Sequence, residues 1–267
     1  MKISGHYIKI KGIKTYYETN NVSDEKPAIL CIHTAGRECR QYHGIMELFK
    51  DKYQVIAPDM PAHGKSWPLP HNKAITDKDK YAEFIWEFAK LLKLEHAIIM
   101  GCSLGGNIVY KLAQQYPVKA IISLQGADYT PSISEVAREL MDHPHVSLQH
   151  SHIDFSDSLV GKYTGPAERE FIIWGVKQEI SVTKKADLNM YNGFDVRENM
   201  DKITCPVLVV RGQDDWIVDA QAVEDTIKRL TKAKKVVFEQ LPGIGHFPAV
   251  ESPDTIARIV DDFIQSL

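Results

Sequence analysis

Six short apolar runs, separated by stretches of helical periodicity, do most to fix what this chain can fold into. They are AILCIH after Pro27, YQVIAPD at 53–59, HAIIMG at 96–101, VKAIISLQG at 118–126, PVLVVRG at 206–212 and KKVVFEQL at 234–241. Runs apolar at consecutive positions belong to strands buried on both faces, as in a parallel sheet covered by helices. Helices are expected around 42–49 and over 81–92, where Phe84, Phe88, Leu91 and Leu92 share a face. NIVYKLAQQYP reads as a helix stopped by Pro117, and 255–263 as an amphipathic closing helix. Two alternating segments, HYIKI and KTYYET, meet at Gly12 and add a hairpin. The expected fold class is α/β, a mostly parallel sheet of about eight strands with helices on both faces.

The alternation is interrupted once. Between about 128 and 203 the chain offers helical pieces, several aromatics and the histidines 143, 145, 150 and 152, but no clear buried strand. An insertion there predicts a helical cap over the carboxyl edge of the sheet, where the ligand crevice of such a fold lies. The expected division is therefore a core of 1–127 and 204–267 with a cap of 128–203. The 267 residues, 44% hydrophobic and 25% charged, suffice for a substantial core, and a net charge of −3 argues against nucleic-acid binding. No apolar run reaches the about 20 residues of a membrane span, and no signal peptide is visible. Cys31, Cys39, Cys102 and Cys205 show no metal-like spacing and are expected as reduced thiols of a cytoplasmic protein.

The sharpest chemical signal is Gly101-Cys102-Ser103-Leu104-Gly105-Gly106, directly between a strand and a helix. G-x-S-x-G in that setting is a nucleophile elbow, a turn tight enough to push Ser103 above the sheet in strained geometry. Side chains at 101 or 105 would collide with neighbouring backbone. A serine hydroxyl needs a base, and the base an orienting carboxylate. Candidates follow two later strands: Asp214 and Asp215 after PVLVVRG, and His246 after KKVVFEQL. All emerge at the edge where Ser103 does. Asp128, after IISLQGA, is a further candidate acid.

GCSLGG, APDMPAHGKS, VLVVRGQDDWIV and LPGIGHFPAVESPDTIARIVDDFI together resemble the α/β-hydrolase superfamily across essentially the whole chain. The resemblance implies a Ser–acid–His order, with the acid three residues after the Gly, which selects Asp215. It also implies an oxyanion hole from the backbone N–H of Leu104 and a donor in the loop His33-Thr34-Ala35-Gly36, where Ala35 holds the donor position. Thr34 replaces the usual Gly of that loop, so a shifted path or an added pocket hydroxyl is expected. His33 is expected to tie the loop down. Ala62 likewise replaces a Gly of the D-x-P-G-H-G-x-S pattern.

The implied activity is hydrolysis of a small-molecule carboxylic ester or lactone through an acyl-enzyme on Ser103. Alternatives are carbon–carbon bond hydrolysis of a β-diketone or vinylogous ketone, and a slow-turnover small-molecule receptor. Thr34, Arg37 and Trp174 are candidate substrate contacts. Arg37 and Arg40 are otherwise expected in surface ion pairs, and Trp67, Met190 and Tyr191 are further candidate pocket walls. No G-x-G-x-x-G follows a strand, and Asp59 stands where a phosphate loop ending in Gly64-Lys65-Ser66 needs Gly. No cofactor is expected. The cap histidines lack companion ligands and are expected solvated or at helix ends, so no metal is expected either. The sequence does not fix the oligomeric state.

Overall fold

A computed structural model describes residues 3–20, 25–132, 145 and 147–267. One eight-stranded sheet organises them, with strands β1 (Ser4–Ile10), β2 (Ile13–Thr19), β3 (Ala28–Ile32), β4 (Gln54–Pro58), β5 (Ile98–Cys102), β6 (Ala120–Leu124), β7 (Val207–Gly212) and β8 (Val236–Leu241). Their spatial order is β1-β2-β4-β3-β5-β6-β7-β8. The β1–β2 and β2–β4 pairs are antiparallel and every later pair is parallel.

Successive side chains of a strand point to opposite faces, and here both faces are covered. Leu30, Ile32, Ile99, Ile121, Val207 and Val209 pack into one core with α2 (Lys78–Leu91) and α3 (Leu104–Gln115). Ile29, Cys31, Ile98, Met100, Leu208 and Val210 pack into the other with α1 (His43–Leu48) and, near the C-terminus, α9 (Pro253–Gln265). This double burial explains why β3, β5, β6 and β7 read as continuous apolar runs. β8 differs: it is an edge strand, only half buried, and Phe238 is exposed.

The helix α2 starts at Asp77, whose carboxylate accepts the Lys80 amide at 3.0 Å. Its buried face is Tyr81, Phe84, Ile85 and Phe88. Leu91, expected on that face, is exposed as the last residue of the helix, while Phe88 and Ala89 in the same turn stay buried and Leu92 packs against the core.

Between β6 and β7 the described residues form α4 (Leu148–Ser158), α5 (Pro166–Gln178) and α6 (Ser181–Tyr191), with no strand in this stretch beyond an isolated Tyr129–Asp195 bridge. These helices stand over the carboxyl ends of the strands: the Leu159 carbonyl accepts the His246 amide at 2.9 Å, and Gly243 O accepts the Tyr163 amide at 3.1 Å. Two short helices, α7 (Ala220–Arg229) and α8 (Pro248–Glu251), follow β7 and β8.

Candidate active site

Ser103 sits between β5 and α3 with φ 56° and ψ −117°, a backbone conformation forbidding to most L-residues. The turn is tight because glycines flank it. A Cβ on Gly101 would stand 2.1 Å from the Gly105 carbonyl oxygen, and one on Gly105 would stand 2.3 Å from Ile32 O. The Ser103 amide donates to Leu124 O at 2.9 Å, and its carbonyl accepts the Asn107 amide at 2.8 Å, so strand and helix clamp the strained residue from both sides. Leu104 is the first helical residue of α3, and amides in a helix's first turn lack intrahelical acceptors.

Asp215 and His246 follow β7 and β8. Asp215 Oδ2 lies 2.6 Å from His246 Nδ1, while its Oδ1 accepts the Ile217 and Val218 amides at 2.8 and 3.3 Å. Burial raises the Asp215 pKa, but the His246 ring, its hydrogen bond and the two amides outweigh burial and hold the carboxyl below the ordinary carboxylate value. The other two carboxylates are engaged elsewhere. Asp214 accepts the Lys162 amide at 2.9 Å, and buried Asp128 pairs with both Nε and Nη2 of Arg229 at 2.5 and 2.7 Å.

Ser103, His246, Thr34, Ala35 and Arg37 share the wall of one cavity of about 550 Å³, completed by residues of α4, α6 and the segment after β6. That volume suits a small organic ligand. Thr34 does not adopt positive φ; Gly36 takes the left-handed conformation instead, at φ 69°. The Thr34 amide donates to Gln41 Oε1 and its hydroxyl accepts from Gln41 Nε2, both at 3.0 Å, so the hydroxyl is tied back into the loop. His33 Nε2 accepts the Met60 amide at 3.2 Å, which leaves Nδ1 to donate to Thr34 O at 2.9 Å. Burial, with His63 beside it, pushes His33 down to about 3, so the ring is a neutral strut.

Three expectations are corrected. Trp174 does not line the cavity: its ring stacks on Phe171 and lies under the Arg40 guanidinium, 4.3 Å away. Arg37 is not a surface residue but is buried, paired with Glu179 at 3.2 Å. His152 is neither solvated nor at a helix end. It is buried on α4 and lines the cavity, whereas His145 and His150 are exposed and His143 lies outside the described residues. Of the other candidate walls, Tyr191 lines the cavity, Met190 belongs to the core and Trp67 is exposed.

Sequence reasoning missed Trp216, Ser156, Lys184 and Glu179 on the cavity wall. It also missed the polar struts behind it, Gln125, Asp187 and Glu251. Gln125 Nε2 donates to Gly245 O at 2.6 Å and to Gly212 O at 3.3 Å, bridging the loops that carry His246 and Asp215. Among the described residues, one group of potential metal ligands stands together, Glu38, Cys39 and Asp59. Asp59 already accepts the Cys39 and Lys65 amides, and Glu38 pairs with Arg40. No helix among the described residues is long and apolar enough to cross a membrane.

The sequence profile of the alpha/beta hydrolase fold matches residues 27–253. The chain is 26% identical to the 2-(acetamidomethylene)succinate hydrolase of Mesorhizobium japonicum, over 90% of this chain and 88% of that protein. It is 23% identical to a monoacylglycerol lipase of Rattus norvegicus, over 98% and 82% of the two chains. The enol-lactonase of Burkholderia xenovorans superposes with a TM-score of 0.80 at 16% identity, covering 97% of this chain and all of that one. With the strand order, the strained serine turn and a profile match across most of its length, the chain belongs to the alpha/beta hydrolase fold family.

Proposed function

We propose that the protein is a serine hydrolase that cleaves a small-molecule carboxylic ester or lactone through an acyl-enzyme. The observation that carries this reading is the 2.6 Å contact of Asp215 with His246 Nδ1, with His246 and strained Ser103 on the wall of one cavity. Nδ1 bonded to a carboxylate leaves Nε2 as the basic nitrogen. His246 removes the Ser103 hydroxyl proton as Oγ bonds to the carbonyl carbon, and the Ala35 and Leu104 amides take the developing oxyanion. Collapse breaks the carbon–oxygen bond to the leaving alcohol, which receives the proton from His246. Water, deprotonated by the same ring, then attacks the acyl carbon and frees Ser103 and the acid. The names of two relatives, a hydrolase and an enol-lactonase, support this class of reaction. On this reading α4 to α6 form a cap, and its wall selects the substrate.

The test is intact-protein mass after treatment with a fluorophosphonate, alongside turnover of an ester and lactone panel. One adduct is expected on the wild type and none on Ser103→Ala, with turnover falling about 10⁴-fold or more in the variant. An unlabelled wild type that turns over no ester or lactone overturns the reading.

A further inference from the structure

The cavity over Ser103 carries charges that acyl transfer does not use. Arg37, His152, Glu179 and Lys184 stand together in its wall, their side chains 7–9% exposed. Glu179 Oε1 lies 3.2 Å from Arg37 Nη1, and Oε2 lies 3.0 Å from Lys184 Nζ and 4.0 Å from His152 Nδ1. One carboxylate thus serves a guanidinium, an ammonium and an imidazole. The nearby carboxylate of Asp187 binds the Gly36 amide and His63 through Oδ2, and its Oδ1 is buried without a hydrogen-bond partner among the described residues.

A purely structural ion-pair cluster should satisfy its own donors, because a buried polar atom without a partner is costly to desolvate. This cluster does not. Among the described residues, His152 Nε2 is buried without a hydrogen-bond partner. Arg37, whose Nη2 donates to Ser156 Oγ at 3.1 Å, has its Nη1 ion-paired with Glu179 but not aligned to hydrogen-bond it. Burial, with Arg37 beside it, pushes Lys184 down to about 7, and burial pushes Glu179 up to about 7 although Arg37 pulls it down. Arg37, Lys184 and His152 share the one Glu179 carboxylate, so negative charge is scarce here. A planar anion entering the cavity would supply that charge and meet the guanidinium edge.

We propose that the substrate is an acyl compound bearing a carboxylate, seated on Arg37, Lys184 and His152 while its ester or lactone carbonyl meets Ser103. The proposal rests on the hydrolase reading above and adds the substrate's charge to it. It assigns the two cations to binding, and Glu179 to holding them in place when the cavity is empty.

The experiment compares two p-nitrophenyl esters with the same leaving group, the mono-ester of glutarate and the neutral pentanoate. Wild type is expected to favour the glutarate ester in kcat/KM by about tenfold or more, and free glutarate to inhibit competitively where pentanoate does not. The preference should fall about tenfold in Lys184→Met and in Arg37→Gln. A wild-type ratio of one or less overturns the proposal whatever the variants do, and so does a preference that both variants retain. If the wild type takes no fluorophosphonate and cleaves neither ester, the hydrolase reading is what fails. Thermal stabilisation by glutarate, abolished in Lys184→Met, would then still support the anion seat, and its absence in wild type would overturn it.

Discussion

Asp187, in the middle of α6, accepts the backbone amide of Gly36 at 2.7 Å, joining the inserted helices to the loop that contains Thr34 and Ala35. The same Oδ2 lies 2.9 Å from His63 Nε2, and the carboxylate is fully buried. If Ala35 donates to an oxyanion, Asp187 is a positioning residue for that donor: it fixes the next peptide without reaching the substrate. Asp187→Asn keeps the shape but offers a weaker acceptor. We expect kcat to fall about tenfold with KM little changed, because the interaction matters most where charge develops. Unchanged kcat in a folded variant, checked by steady-state kinetics, would remove that role.

The His63–Asp187 pair also sets a pH dependence of stability. Burial alone lowers the His63 pKa, but the Asp187 carboxylate, its hydrogen bond, the Pro61 carbonyl and Asp59 outweigh burial and raise it above 6.5. The neighbouring ring, His33, is neutral, as described above. A folded-state pKa above the unfolded one means stability fully present below about 6.5 and lost as pH rises through the folded value. Urea unfolding of wild type and His63→Gln should show a larger stability gap at about pH 5.5 than at about pH 9. A gap that is constant, or that widens with pH, contradicts the assignment.

How far the sequence could be read follows from what kind of information each feature carries. β3, β5, β6 and β7 were legible because double burial writes itself into consecutive residues, and the Ser103 turn because two glycines admit the backbone that crowds them. The preference for Asp215 over Asp214 rests on the pattern of the family the chain resembles, and the structure puts Asp215, not its neighbour, against His246. Direction is what periodicity could not supply. Trp174 and Arg37 lie near the same cavity by sequence logic, yet Trp174 faces Arg40 and Arg37 turns inward to Glu179. His150 and His152 are two residues apart on α4, so they take different faces, one solvated and one in the cavity wall. The struts Gln125, Asp187 and Glu251 act on partners far along the chain, and no local pattern marks such contacts.

Ala62 offers a stability test independent of chemistry. It occupies the place of a glycine in its motif and adopts φ 71° in the turn between β4 and Ser66, its amide donating to Trp67 O at 3.1 Å. A left-handed conformation costs an L-residue about 1–2 kcal/mol, and glycine's greater freedom when unfolded returns about 0.5–1 kcal/mol of that. Ala62→Gly should therefore stabilise the protein by about 0.5–1 kcal/mol in equilibrium denaturation. A destabilised variant would show that the Ala62 methyl packs well enough to offset the strain.

Glu251 holds the residues on either side of His246. From α8, one oxygen accepts the Gly245 amide at 2.8 Å, the Gly161 amide at 2.9 Å and the Thr164 hydroxyl at 2.7 Å. The other accepts the Phe247 amide at 2.8 Å. The amides of both residues flanking His246 are thus held by one buried carboxylate, which also pins the inserted segment at Gly161. Glu251→Ala would leave three buried amides without their acceptor, at about 1–3 kcal/mol each before relaxation. Glu251→Gln keeps the size and one acceptor oxygen, but its NH₂ group cannot accept an amide. We expect the Gln variant to fold with lowered stability, and its rate of fluorophosphonate labelling at Ser103 to fall about tenfold or more, since a displaced His246 no longer activates the serine. Ala should do worse on both counts. A Gln variant that labels at the wild-type rate would mean that Asp215 and the Leu159 carbonyl hold His246 without help from α8.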